Sequence, residues 1–175
     1  EELKIFEKKI EKFLKVKHVL GVGNWTEGTI MVLKSLGYKK GDEIITVSNS
    51  FIATCGAIAY LNLVPKLVDV GDDLNIDINK ISKKITKKTK AIMPVHWAGR
   101  PCEMDKILSI AKKYNLNVVQ DSAHIIGAKY KNNYLVNYGD VCTYSMHPLK
   151  NLNVWGDGGF IVTNKKELAK KLYLI

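Results

Sequence analysis

The sequence predicts an α/β fold: three layers, α/β/α, around a mostly parallel central sheet. Three observations predict it. Short β-branched runs such as EIITV and PKLVDV alternate with longer stretches whose apolar residues recur every three or four positions. The alternation repeats as βαβ units, which place helices on both faces of one sheet. The 175 residues are 46% hydrophobic and 25% charged, ordinary globular composition with enough length to bury a core.

Each element carries its own signal. The opening EELKIFEKKIEKFLK reads as a charged amphipathic helix, not a signal peptide. HVLGVGN is a short apolar strand entering a turn. TEGTIMVLKSLGY sets Ile30, Leu33 and Leu36 at helical spacing, and Gly37 and Gly41 punctuate its end. EIITV is a buried strand, FIATCGAIAYLN a compact helix of small residues, and PKLVDV the next strand. DINKISKKITKKT starts on an Asp cap and aligns Ile78, Ile81 and Ile85 on one stripe, with lysines on the other. KAIMPV is a strand, CEMDKILSIAKKYN a helix and NVVQD a strand. The pattern then changes. GAKYKNNYLVNYGDVCTYS reads as consecutive strands with a turn at the paired asparagines. GGFIVTN is a further strand, and KKELAKKLYLI opens a helix.

Composition narrows the function classes. A formal charge of +10 invites nucleic acid as a partner. Against that, 26 of the 27 basic residues are lysine and only Arg100 is arginine, the residue that base readout favours. Lysine and 13 asparagines rise together, a compositional habit rather than a basic patch. The expectation is no nucleic acid. Cys55, Cys102 and Cys142 are an odd number without metal-type spacing, which suggests a reducing compartment and a cytoplasmic protein. No apolar run approaches the length of a membrane span.

Ligands on such sheets bind beyond the carboxyl ends of the strands, so the residues just after each strand are the candidates. GVGNWTEG fails as a dinucleotide fingerprint, because Thr26 stands at the third glycine position. It fails as a P-loop too, because Gly28 is followed by Thr29 without a lysine. What survives is a strand, a turn and a helix N-terminus, whose free N–H groups suit a phosphate. Thr26 either adds a hydroxyl there or simply caps the helix. Asp121 ends the strand NVVQD, where an aspartate is a metal ligand, a cap or a catalytic carboxylate. His124 follows it, and His96 follows KAIMPV, where it either lines a pocket or closes a turn. Lys150 follows VCTYS and Pro148, at the sheet's rim. Partial desolvation there would free its amine as a nucleophile. An amine, a buried carboxylate and a helix-end phosphate site together suit pyridoxal 5'-phosphate, with Ser145 as a further phosphate donor. Opposite charges about 4 Å apart attract by roughly 4 kcal/mol at an effective dielectric of 20, enough for Asp121 to keep the ring nitrogen protonated.

Four stretches carry a resemblance to the DegT/DnrJ/StrS family of sugar aminotransferases. They are GDEIITVSNSFIAT, KAIMPVHWAG, VVQDSAHIIGAKY and YSMHPLKNLNVWGDGG, in family order over nearly the whole chain. The resemblance implies the aspartate aminotransferase fold, with residues 1–175 forming most of the large cofactor-binding domain and the C-terminal small domain absent from this chain. It implies Lys150 as the Schiff-base lysine and proton carrier, and Asp121 as partner of the ring nitrogen. Thr26, Glu27 and Ser145 would hold the phosphate, Phe51 would stack on the ring, and His124 would lie near the ring oxygen. His96 would line the substrate pocket. The implied reaction moves an amino group from glutamate to a keto group of a nucleotide-linked deoxysugar, in a homodimer with a shared active site. A sugar dehydratase of the same family and a non-catalytic regulatory member are the alternatives; retention of Lys150 weighs against the first. Two positions depart from the family pattern. Trp25 stands where members usually carry glycine, and Asp157 replaces a glutamate in the glycine turn.

Overall fold

The computed structural model describes residues 1–175. Its strands are β1 (His18–Val22), β2 (Glu43–Val47), β3 (Val64–Val68), β4 (Thr89–Ile92), β5 (Asn117–Asp121), β6 (Lys129–Tyr130), β7 (Asn133–Tyr134), β8 (Val141–Ser145) and β9 (Gly159–Thr163). The helices are α1 (Glu2–Leu14), α2 (Trp25–Ser35), α3 (Ile52–Tyr60), α4 (Ile78–Lys84), α5 (Met104–Tyr114) and α6 (Lys166–Leu172). Seven strands form one sheet in the order β1-β9-β8-β5-β4-β2-β3. Pairing is parallel from β3 through β2, β4 and β5 to β8. β9 alone runs the other way, antiparallel to both β8 and β1. Pro65, which has no N–H to give a ladder, lies on the edge strand β3.

Strand pleating sorts the core. Ile44 of β2, Ala91 of β4, Val119 of β5, Val141 of β8 and Ile161 of β9 pack against Val32 and Leu33 of α2, Ile58 of α3 and Leu168 of α6. The neighbouring residues point to the other face. There Ile45, Ile92 and Val118 meet Ile81 of α4 and Ile107 of α5. Cys142, Tyr144, Phe160 and Val162 meet Ile10 and Leu14 of α1. The expected three layers and mostly parallel sheet are present, with α2, α3 and α6 on one face and α1, α4 and α5 on the other. No helix is long and apolar enough to cross a membrane.

Two local expectations shift. The helical stripe of DINKISKKITKKT continues to Ile85, but α4 stops at Lys84, and Ile85 is already extended at φ −73° and ψ 130°. The cause of the early stop is the buried Glu43, whose Oε2 accepts the Thr86 hydroxyl at 2.6 Å and the Thr89 hydroxyl at 3.1 Å. Those bonds pull the chain out of the helix. A helix this short is marginal alone. Asp77, capping the Asn79 N–H at 3.0 Å, and the wholly buried Ile81 hold it. The expected turn at the paired asparagines also moves by one residue. β6 and β7 form a separate ribbon that turns at Lys131 and Asn132, both with positive φ (45° and 66°), the backbone a two-residue hairpin turn needs.

Gly159 joins the sheet to the start of α2. A Cβ there would lie 2.8 Å from the Asn24 carbonyl carbon and 2.9 Å from both the Trp25 nitrogen and the Tyr144 oxygen. All three are backbone atoms, so nothing flexible can give way. Gly159→Ala is expected to destabilise the protein by roughly 1–3 kcal/mol, the usual cost of overpacking, as measured by chemical denaturation.

Candidate active site

The pleat that builds the core also aims the site. Val119 faces α2 and α3, so Asp121, two residues on, faces the same way. Thr143 of β8 does too, reaching the Thr29 hydroxyl of α2 at 3.2 Å, and Ser145 follows it by two. Asp121 and Ser145 therefore arrive together at the carboxyl edge of the sheet, beneath the N-termini of α2 and α3. A cavity of about 1150 Å³ opens there. Thr26, Glu27, Phe51, Asp121, His124, Ser145 and Lys150 all line it.

At one wall, Asn24 caps α2, its Oδ1 accepting the Glu27 N–H at 2.9 Å. Glu27 reaches back to the Gly23 N–H at 2.9 Å. These two bonds resemble a capping box. They dispose of the alternative in which Thr26 is the cap. Thr26 instead sits inside the first turn, and the N–H groups of Trp25 and Thr26 have no acceptor within the helix. These free N–H groups at the end of the helix are of the kind that suit an anion.

Asp121 is 4% exposed. Its Oδ1 accepts the Ala123 N–H at 3.2 Å and its Oδ2 the Thr54 hydroxyl at 3.0 Å. Because Thr54 spends its proton on Asp121, Ser50 must be the donor in the 2.8 Å Ser50–Thr54 contact. Burial pushes the Asp121 carboxyl up to about 6, against the opposing pull of those donors and of Lys150.

Lys150 lies on the loop between β8 and β9, its backbone N–H donating to the His147 carbonyl at 2.8 Å. Burial lowers the pKa of its amine, and the charge of Asp121 partly offsets that. The Ser145 hydroxyl accepts the His147 N–H at 3.3 Å, which leaves its own proton free to donate. His124 is half-buried and packs edge-on to Trp97 with ring centroids 6.0 Å apart. Burial first and Lys150 second hold it toward the neutral form. Phe51 is exposed at the cavity rim.

His96 does not join them. It is wholly buried on the opposite side of β5, with its Nδ1 accepting the Cys102 N–H at 3.1 Å. That places the ring proton on Nε2, 2.9 Å from the Gln120 oxygen. Burial pushes its pKa down to about 4. Both ring nitrogens are used inside the core, so the expected place in the substrate pocket is corrected to a structural one.

Three further wall residues have no site role from the sequence alone. Thr54 clamps Asp121; its signal is its place as the last residue of SNSFIAT, three after Phe51. Trp25 turns inward, and its Nε1 is buried without a partner. Asn49, also in the cavity lining, donates to the Leu74 carbonyl at 3.0 Å, and its oxygen is buried and unpartnered. No local pattern marks the orientation of either one.

An α/β sheet whose carboxyl edge gathers a lysine, a buried aspartate and an open helix N-terminus defines the class of aminotransferase fold type I. The chain belongs to the DegT/DnrJ/EryC1/StrS aminotransferase family, whose model matches residues 1–175. It is 41% identical over 174 residues to the pleiotropic regulatory protein of Geobacillus stearothermophilus, covering 99% of this chain and 47% of that protein. It is 38% identical over 171 residues to GDP-perosamine synthase of Caulobacter vibrioides, covering 97% of this chain and 46% of that one. Among solved structures, NtdA of Bacillus subtilis with bound cofactor PMP superposes with a TM-score of 0.94 at 38% identity, covering 98% of this chain and 39% of that chain. The chain thus spans less than half the length of these relatives.

The raised Asp121 pKa has a consequence for stability. A carboxyl whose folded pKa is raised favours the fold below the ordinary carboxylate pKa, and that advantage is lost as pH rises through about 6. The ionised group then costs about 3 kcal/mol, at about 1.4 kcal/mol for each pH unit between the ordinary and the folded value. In the cofactor-free protein, Asp121→Asn is expected to be the more stable form at pH 8 by up to about 3 kcal/mol. The gain should vanish at pH 4, as denaturation at the two pH values would show.

Proposed function

We propose that residues 1–175 form most of the large, pyridoxal-phosphate-binding domain of a nucleotide-sugar aminotransferase. Its reaction moves an amino group from glutamate to a keto group of a nucleotide-linked deoxysugar. The observation that carries this reading is the meeting of Lys150, Asp121, Ser145 and the open N-terminus of α2 in one cavity. A small domain outside this chain and a second subunit sharing the site complete the enzyme; the exposed Phe51, Ile52, Tyr60 and Leu149 support a covered rim. Three free cysteines support a cytoplasmic protein.

The residues fit the cofactor. Thr26, Ser145 and the free N–H groups at the start of α2, including the turn that Glu27 braces, suit its phosphate. Asp121 suits the ring nitrogen, Phe51 a ring face, and neutral His124 the ring oxygen. When bound, pyridoxal phosphate supplies an electron-withdrawing ring that stabilises negative charge on a substrate carbon. Lys150 supplies the amine that binds the cofactor covalently, and the group that takes and returns the substrate proton. Its lowered pKa favours both tasks.

A second reading is a regulatory member without chemistry. The Geobacillus relative, named a pleiotropic regulatory protein, favours it. The two separate in one experiment on the full-length protein loaded with pyridoxal phosphate. Borohydride is expected to fix the cofactor to the peptide containing Lys150, and glutamate to convert bound cofactor to its amine form. Trapping without conversion would leave only the binder. Lys150→Ala is expected to lower transamination by at least roughly 10²–10⁴-fold, the scale of general acid–base help.

A further inference from the structure

Trp25 has no role in the site as described so far. It is the first residue of α2, and it is 7% exposed, with its indole in the cavity wall. Buried indole N–H groups usually find a partner, yet this one has none. It already leans on the Asp121 carboxyl as the weakest of the donors that favour its ionised form, but not in the geometry of a full hydrogen bond. An ionised carboxylate offers about four acceptor positions. On Asp121, Ala123 and Thr54 occupy two of them. A cofactor ring N–H would take a third, and one remains.

We propose that Trp25 is a positioning residue for the cofactor: its indole N–H closes onto the Asp121 carboxylate when pyridoxal phosphate is bound, holding that carboxylate ionised and aimed at the ring nitrogen. The inference rests on the cofactor reading above. The other ionisable groups in the cavity wall are Glu27 of α2, Tyr60 of α3, His124 after β5, and His147, Lys150 and Asp157 of the β8–β9 loop. None of them is altered by a change at Trp25 that keeps its bulk.

The test measures pyridoxal-phosphate affinity against pH in the full-length protein. Trp25→Phe keeps an aromatic ring and removes the N–H. Its affinity at pH 8 is expected to fall about tenfold, the scale of one hydrogen bond to a charged group. The pH at which affinity falls away on acidification is expected to rise, because Asp121 without this donor is easier to protonate. A uniform loss at every pH, with that midpoint unmoved, would reduce Trp25 to packing and overturn the proposal. If Trp25→Phe does not fold, β-(3-benzothienyl)alanine at position 25 keeps the indole shape without the N–H, and the same two outcomes apply. Failure of the unaltered protein to bind pyridoxal phosphate would sink the cofactor reading and this inference with it.

Discussion

The two-residue period of the strands is the constraint on which the site depends. Because β5 and β8 are parallel neighbours in fixed register, Asp121 stands beside Thr143, and Ser145 lies one pleat further along. All three face α2 and α3. A slip of one residue in β5 would send Asp121 to the opposite face and Gln120 into the cavity. The buried rows of Val118 and Val119, each fitted to a different layer of helices, prevent that slip. Core packing and site geometry are therefore the same fact seen at two depths of the sheet.

The antiparallel β9 does the complementary job. Ser145 and Gly159 are register partners, so the loop that leaves the sheet at one returns to it at the other. Lys150 rides on that loop and is returned to the carboxyl edge it would otherwise leave. Gly159 then lets the backbone of Asn24 and Trp25 lie against the sheet, so the start of α2, the lysine loop and the end of β5 close around one cavity.

Much of this was legible in the residues. Alternating β-branched and helical patterns marked the layers, and the cavity gathers every site candidate drawn from the sequence except His96. His96 failed for a reason that local sequence does not carry. It follows a strand just as Asp121 does, but Cys102 and Gln120 draw it into the core behind β5. The reversed direction of β9 has only an indirect mark, the lack of a crossover helix between it and β8, and a loop of that length allows either direction. The early end of α4 depends on Glu43, a residue 43 positions from the Thr86 it binds, which a helical period cannot register.

The electrostatics of the cavity turn on two buried or half-buried groups, Asp121 and Lys150. Burial raises the Asp121 carboxyl to about 6 and lowers the pKa of the Lys150 amine, so the ordinary charge of each is held at a cost. Neither is satisfied as it stands: Lys150 has no ion-pair partner within 4.0 Å, and Asp121 keeps acceptor capacity that the protein does not fill. A chain that used the cavity only for packing would lose nothing by replacing the aspartate with a neutral residue. A cationic group beside the aspartate would reverse the sign, turning the buried carboxylate from a cost into a binding contact. Such a contact would offset the burial that raises the Asp121 carboxyl.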